Sequence, residues 1–386
     1  MKIGIDCRTI LNPEKNIGGG VGHYTYQLVR HLLKIDKKNT YVLFFDRSVQ
    51  KRRLAKFKQS NVLIRFFPFV QYTRLMPKSY TNYLISAYLN KEELDVFHSP
   101  TLSLPFSYKK PCVVTAHDLA IYKFPEFYSD KHNVLSKTEI PTAIKDAKKI
   151  ITASHSTAKD IHETFGTSIN KIKMVIHGLD ERFFDKQSED SIQKIKSKYG
   201  IKKDYLLFLG TLDLRKNIIR IISAYERLRE KMKSNSLPDI QLVLAGAKGF
   251  KFHDIEKKIS ASKYKKDIIL PGYIAADDLN PLFGGAKVFV FPSFYEGFGL
   301  SILEAMANGV PVVTSNVSAM PETAGNHAIL VDLYDVSQIN EALYRLLTNK
   351  ELRDKLSEEG KRYAQKFNWD KTAEETLKIY KEASIL

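Results

Sequence analysis

Two glutamates, Glu296 and Glu304, stand eight positions apart in the run AKVFVFPSFYEGFGLSILEAMANGVPVVTS (286–315), with Gly297 and Gly299 just after the first. Glycines there let the backbone come close to a ligand, and the N-terminus of the helix they open presents unpaired N–H groups and a positive dipole end. That end suits a phosphate. Carboxylates repel phosphate, so the glutamates suit sugar hydroxyls, as an acidic residue serves ribose in dinucleotide-binding folds. In the same half, FLGTLDLRKN (208–217) ends a strand at Gly210 and then gives Arg215 and Lys216. Arginine offers a planar fork to phosphate oxygens and lysine a compact charge. Alone, such a pair is usually a solvated helix end. Joined to the glutamate loop, it reads as the seat of a nucleotide sugar.

Those residues need strand ends to hold them, and the chain supplies strands throughout. KIGID (2–6), TYVLFF (40–45), NVLIRFF (61–67), DVFHS (95–99), PCVVTAHD (111–118), KKIITAS (148–154) and KIKMVIH (171–177) are short apolar runs separated by helical or polar segments. A polar, charged stretch, 178–204, reads as a linker. The alternation resumes with YLLFLGT (205–211), IQLVLAGA (240–247), DIILPGY (267–273), KVFVFPS (287–293), VPVVTS (310–315) and AILVD (328–332). This rhythm predicts an α/β protein with two Rossmann-like, doubly wound domains facing across a cleft, ligands meeting the carboxyl ends of the strands. The domains are set at 1–185 and 186–367, and the helical tail 368–386 is expected to cross back onto the first.

At 386 residues the chain exceeds what one hydrophobic core usually serves. Asp6 and Arg8 interrupt what a signal peptide would keep apolar, and no run of 18 apolar residues follows, so a cytoplasmic protein is expected. Cys7 and Cys112 are the only cysteines, which argues against a disulfide framework or structural zinc. The formal charge is +17, with most of the excess in the first half. There Arg47, Lys51, Arg52, Arg53, Lys56 and Lys58 precede the aromatics Phe66, Phe67, Phe69 and Tyr72. This segment reads either as contact with an anionic membrane or as a solvated charged helix followed by a core strand. No nucleic-acid-binding pattern appears.

The residues as a set resemble the retaining glycosyltransferases of family 4, whose fold is the GT-B type. GTLDLRKN, VLAGA, LPGYI and FPSFYEGFGLSILEAMANGVPVV cover nearly all of 205–333, and EGFGLSILE carries the family's E-x7-E signature; IGGGVGHYTYQLVRHL, VFHSP, VVTAHDL and ASHSTAKDI follow the family's order in the first half. The resemblance implies that Glu296 holds the donor sugar, Glu304 the nucleotide ribose, and Arg215 with Lys216 the diphosphate. It extends the donor site to Gly210, Gly246, Tyr273, Gly297, Phe298, Gly299 and Leu300, and makes Gly19 and Gly20 a loop over the donor phosphate, where a plain flexible loop is the alternative. His117 would touch the donor sugar at the reacting face. Asp118 is assigned to the acceptor, and His98 either to the acceptor or to packing.

The family retains anomeric configuration without a well-placed carboxylate nucleophile, so Glu296 and Glu304 are not a glycosidase pair. No D-x-D pattern ends a strand to hold Mg²⁺; Arg215 and Lys216 are expected to replace the metal, and no cofactor is expected. The opening IGIDCRTI…GGGVGHYTYQLVRHL looks like bacterial mannosyltransferases of surface polysaccharide assembly. This favours GDP-mannose as donor and a saccharide or lipid-linked acceptor. A UDP-hexose donor is the alternative, and a non-catalytic, membrane-associated nucleotide-sugar-binding protein is the alternative of another class.

Overall fold

A computed structural model describes residues 1–10, 19–47, 49, 54–67 and 78–385. Its chain forms two compact units. The first comprises Met1–Leu119, Asp130–Gly178 and Asn368–Leu386, and the second Ala120–Ser129 and Leu179–Phe367. The change between units falls at 178/179, seven residues before the boundary expected from sequence, and a short segment after Leu119 also belongs to the second.

In the first unit the described strands are β1 (Lys2–Asp6), β2 (Thr40–Phe45), β3 (Val62–Phe66), β4 (Val96–Ser99), β5 (Cys112–Ala116), β6 (Lys149–Thr152) and β7 (Ile172–Met174). They lie parallel in the order β3-β2-β1-β4-β5-β6-β7. Most are buried on both faces, which is why they read as continuous apolar runs and not as alternating ones. The order reverses between β1 and β4. Crossover connections leave a crevice at the carboxyl ends of such a pair, and the segments Cys7–Arg8, Pro100–Thr101 and His117–Asp118 follow β1, β4 and β5 at that edge.

The helix Gly19–Ile35 packs beneath this edge with Tyr24, Leu28 and Leu32 on its buried stripe. The last helix, Trp369–Ser384, joins the same core through Trp369, Ala373, Tyr380 and Ala383. Its Asn368 cap accepts from the Asp370 N–H at 2.6 Å, and the Asp370 carboxylate takes His31 and Lys34, each at 2.6 Å. Gly178 meets the start of this helix so closely that a Cβ there would lie 2.2 Å from the Trp369 nitrogen.

The second unit repeats the plan with β8 (Tyr205–Leu209), β9 (Gln241–Ala245), β10 (Ile268–Gly272), β11 (Val288–Phe291), β12 (Val312–Ser315) and β13 (Ile329–Val331), in the order β10-β9-β8-β11-β12-β13. Its reversal lies between β8 and β11, the two strands that lead into the Arg215–Lys216 and Glu296 loops.

Part of the expected linker is ordered. Glu189–Lys198 is a helix whose Ser188 cap accepts from the Ser191 N–H. Ile192 and Ile195 give it an inner face, and Ile192 sits where a side chain on Gly285 would collide at 2.7 Å. Apolar residues only three apart in a strongly charged segment had masked that face.

The basic segment divides. Arg47, Lys56 and Lys58 are exposed, whereas Lys51, Arg52, Arg53, Phe69 and Tyr72 lie outside the described residues. Phe67 is not a surface aromatic: it is buried, stacked on Phe44 at 5.2 Å with the Arg8 guanidinium over its ring, and Phe66 packs partly against the core. Among the described residues no helix is long and apolar enough to cross a membrane.

Candidate active site

In the second unit the loops after β8 and β11 are stitched together. Asp213 caps the short turn Leu214–Lys216 by accepting from the Lys216 N–H at 3.2 Å. The Phe294 N–H donates to the Arg215 carbonyl at 2.9 Å, and the Arg215 guanidinium donates to the Tyr295 carbonyl at 2.6 Å. The Lys216 ammonium donates to the Glu296 carboxylate and lies 5.0 Å from the centre of the Phe291 ring; Arg215 stands 3.4 Å from the same carboxylate oxygen. Lys216 and Glu296 are each only 8% exposed. A charge so buried needs a partner, and each supplies the other's.

The electrostatics follow. Burial by itself would raise the Glu296 carboxyl, but Lys216 and then Arg215 outweigh it and hold it below the ordinary carboxylate value. Lys216 is lowered, chiefly by burial, against the opposing pull of Glu296. Asp213, half-buried, is raised, chiefly by its partial burial. Arg215 and Lys216 thus stand against the Glu296 carboxylate, with the Asp213 carboxyl capping the turn that carries them.

Glu304 sits in the helix Leu300–Ala307, one turn in from Gly299, whose φ of +89° makes the entry turn. Its carboxyl is 9% exposed, and burial pushes it up to about 7; Arg182 opposes that rise and Asp180 adds to it. Gly297 and Phe298 are buried in the connecting loop, the Phe298 ring packs on Phe367, and its carbonyl accepts from the Thr323 hydroxyl. Leu300 is partly exposed at the helix start, and Tyr273 is 51% exposed after β10.

Gly210 and Gly246 have a different part from the one expected. The Gly210 N–H donates to the Ala245 carbonyl and the Gly246 N–H to the Gly272 carbonyl, so neither amide faces a ligand. Gly246 has φ +144°, and a Cβ there would stand 1.8 Å from the Gly210 carbonyl oxygen. These glycines let the ends of β8 and β9 touch.

In the first unit Gly19 and Gly20 are not a loop but the first turn of the helix Gly19–Ile35, which still directs amides outward. Nothing lies within 4 Å of a Cβ on Gly20, whereas one on Gly22 would meet the Thr9 carbonyl at 2.5 Å. His117 follows β5 and is partly buried; its Nε2 donates to the Pro100 carbonyl at 2.9 Å, and the Tyr24 ring meets it edge-on at 4.8 Å. Burial lowers its pKa, with Pro100 and Asp118 opposing, which favours the neutral Nε2-protonated ring. Asp118 is partly exposed beside it. His98 is wholly buried, with Nδ1 2.6 Å from the Tyr380 hydroxyl and Nε2 2.8 Å from the Thr115 hydroxyl. Both ring nitrogens are engaged inside the core.

Three residues that fix the backbone around these positions escaped the sequence reading. Asn217 adopts φ +60° and donates through Nδ2 to the Pro292 carbonyl at 3.0 Å and the Leu333 carbonyl at 2.8 Å, tying the segments after β8, β11 and β13. Ser318 donates to the Glu296 carbonyl at 2.5 Å and accepts from its N–H. Gly22 is the third. An Asn closing the turn after Arg215–Lys216 was a readable signal for left-handed backbone; nothing in the sequence marks Ser318.

Comparison with known proteins places the chain in a family. Residues 191–363 match the family described as Glycosyl transferases group 1, and residues 18–183 match Glycosyltransferase Family 4. The chain is 27% identical over 370 residues to O-antigen chain mannosyltransferase B of Escherichia coli, covering 94% of this chain and 96% of that one. It is 30% identical over 257 residues to the serotype-specific mannosyltransferase WbdA of Escherichia coli, covering 65% of this chain but 29% of that larger protein. Among solved structures, Anabaena Alr3699/HepE in complex with UDP and glucose superposes with a TM-score of 0.76 at 17% identity, covering 99% of this chain and 100% of that one. With its two doubly wound parallel sheets and its E-x7-E loop seated on a buried cation pair, the chain belongs to the family 4 glycosyltransferases and has their GT-B fold.

Proposed function

We propose that this glycosyltransferase moves mannose from GDP-mannose, with retention of configuration, to a saccharide or lipid-linked acceptor in cell-surface glycan synthesis. The buried cluster of Arg215, Lys216 and Glu296 is the observation that carries the transfer chemistry. The choice of sugar rests on the likeness to an O-antigen mannosyltransferase along 94% of the chain.

In this reading the donor diphosphate takes over Arg215 and Lys216, and Glu296, released from part of its pairing, accepts hydrogen bonds from the sugar hydroxyls. Glu304 accepts from the ribose, and His117 lies beside the donor sugar. The cations stabilise the charge that develops on the departing diphosphate, in a site from which water is largely excluded. Both glutamates belong to one loop and its helix, so neither is set to attack the opposite face of the sugar. The acceptor oxygen bonds to the anomeric carbon on the face from which the diphosphate leaves, and the leaving phosphate oxygen takes the acceptor's proton. With two cations at hand the reaction needs no divalent metal. Exposed Arg47, Lys56 and Lys58 support a peripheral position on an anionic membrane surface, where a lipid-linked acceptor would be met.

The test is nucleotide release from GDP-mannose, UDP-glucose, UDP-galactose and UDP-N-acetylglucosamine, with and without lipid extract, in EDTA and in Mg²⁺. GDP release from GDP-mannose, stimulated by the extract and undiminished by EDTA, is the expected result. Release from a UDP sugar alone overturns the donor assignment, and activity that EDTA removes and Mg²⁺ restores overturns the metal-free reading.

A further inference from the structure

The mechanism leaves one buried polar chain unused. From the last helix the Tyr380 hydroxyl meets His98 Nδ1 at 2.6 Å; His98 Nε2 meets the Thr115 hydroxyl at 2.8 Å; and Thr115 meets the Tyr24 hydroxyl at 3.2 Å. All four side chains are at most 2% exposed. A purely apolar filling would hold this core together without the demands of four polar groups, each of which must be satisfied.

The chain ends on His117 from two sides. The Tyr24 ring lies edge-on to the His117 imidazole at 4.8 Å. His98 stands on β4 two residues before Pro100, whose carbonyl receives the His117 Nε2–H at 2.9 Å, and Thr115 stands on β5 two residues before His117 itself. His98 therefore ties together the two strand ends that fix the imidazole and its hydrogen-bond partner. Burial lowers the His98 pKa to about 3, so its ring is neutral at working pH and offers one donor and one acceptor. The orientation of the Tyr380 hydroxyl then sets that of Thr115, and Thr115 that of Tyr24.

We propose that the Tyr380–His98–Thr115–Tyr24 chain is a positioning device for His117, through which the last helix sets the rate of sugar transfer. The four residues act through His117 and touch no substrate. The inference rests on the reading of His117 as the group beside the donor sugar.

The test uses the full chain with Tyr380→Phe, Tyr24→Phe and Thr115→Val, each of which removes one hydroxyl and keeps nearly the same shape. Steady-state GDP release from GDP-mannose is measured beside long-range ¹H–¹⁵N spectra of ¹⁵N-histidine-labelled protein, with the His117 signals assigned by their loss in His117→Ala. The expected result is a kcat lower by roughly fivefold, the value of one hydrogen bond, with donor KM changed by less than about twofold and the His117 nitrogen signals moved from the Nε2-protonated pattern. Should one variant fail to fold, the other two break the same chain at different links. A kcat within about twofold of the parent in the folded variants overturns the proposal, and so does a lower kcat with the His117 signals unmoved. Full activity in His117→Ala overturns the reading of His117 itself, and the inference with it.

Discussion

The Lys216 ammonium and the Glu296 carboxylate, eighty positions apart in sequence, form a hydrogen-bonded ion pair in which each group is less than one-tenth exposed. In the proposed reading, the cation that meets the donor diphosphate already has an anion in place. This solves a problem that any phosphate site in a low-dielectric setting must meet. Without a donor, a bare buried ammonium would lose its proton or draw in water. Glu296 keeps it charged, and Arg215 stands 3.4 Å from the same carboxylate oxygen.

Breaking that pair from one side leaves an uncompensated buried charge. Lys216→Met is expected to lower stability by about 3–5 kcal/mol and to remove donor binding. The double variant Lys216→Met, Glu296→Gln is expected to regain most of the stability and none of the activity. Urea unfolding with donor titration separates these outcomes. A double variant no more stable than the single one would mean that the pair is not the coupled unit its geometry describes.

Much of this was legible from the sequence, for reasons that particular residues make plain. Each strand stretch read from apolar runs contains a strand, because parallel strands covered on both faces need unbroken apolar sequence, as VLFF in β2 and VFVF in β11 show. Glu296, Arg215 and Lys216 stood out by residue type in loops after strands, and Glu304 by its spacing in the helix that follows. Partnership was not legible. Nothing local tells that Lys216 pairs with Glu296, that Ser318 holds the Glu296 backbone, or that His98 is spent between Tyr380 and Thr115. Those contacts join distant segments, and only the order of the strands brings them together. Gly246 was singled out by the resemblance alone, and nothing local tells that its backbone closes on the Gly210 carbonyl.

Glu304 gives a pH dependence with a definite sign. Burial raises its carboxyl from 4.5 to about 7, so the folded protein holds a proton that the unfolded chain has already released between those values. The stabilising contribution of the protonated form is complete below about 4.5 and is lost as pH rises through about 7. The ionised carboxylate is the stronger acceptor for the proposed ribose hydroxyls, so donor affinity should move the opposite way and strengthen as pH rises through 7. Glu304→Gln should make the donor-free protein more stable at pH 8 by about 2 kcal/mol, and weaken donor binding with a flat pH profile between 6 and 8. Calorimetric titration at several pH values measures both; parallel profiles for parent and variant would remove Glu304 from the ribose.

The glycines separate packing from ligand contact. Gly246→Ala puts a methyl group into the Gly210 carbonyl at a φ of +144°, and should cost at least 2–3 kcal/mol, roughly the range for overpacking with backbone strain. Gly20→Ala meets nothing within 4 Å in a helical turn, and should stabilise the fold by about 0.5–1 kcal/mol. If the first turn of that helix receives the donor phosphate, the same Gly20→Ala should weaken donor binding while its melting temperature rises. Unchanged donor affinity would leave Gly20 as a helix residue without a part in binding.

The exposed cations of the basic segment give a prediction for membrane attachment. Arg47, Lys56 and Lys58 are exposed, while Leu54 and Phe57 between them are buried, so the charges stand on an anchored surface. Each basic group held near an anionic leaflet adds about 1 kcal/mol of attraction, screened beyond a Debye length of roughly 8 Å at physiological salt. Co-sedimentation with phosphatidylglycerol vesicles should therefore exceed that with phosphatidylcholine vesicles and decline as salt rises. In the variant Arg47→Glu, Lys56→Glu, Lys58→Glu it should drop to the neutral-lipid level, while GDP release to a soluble acceptor stays at the parent rate, because none of the three residues belongs to the donor site. Equal sedimentation of both proteins on both lipids would assign these cations to a solvated surface and leave a soluble saccharide as the acceptor.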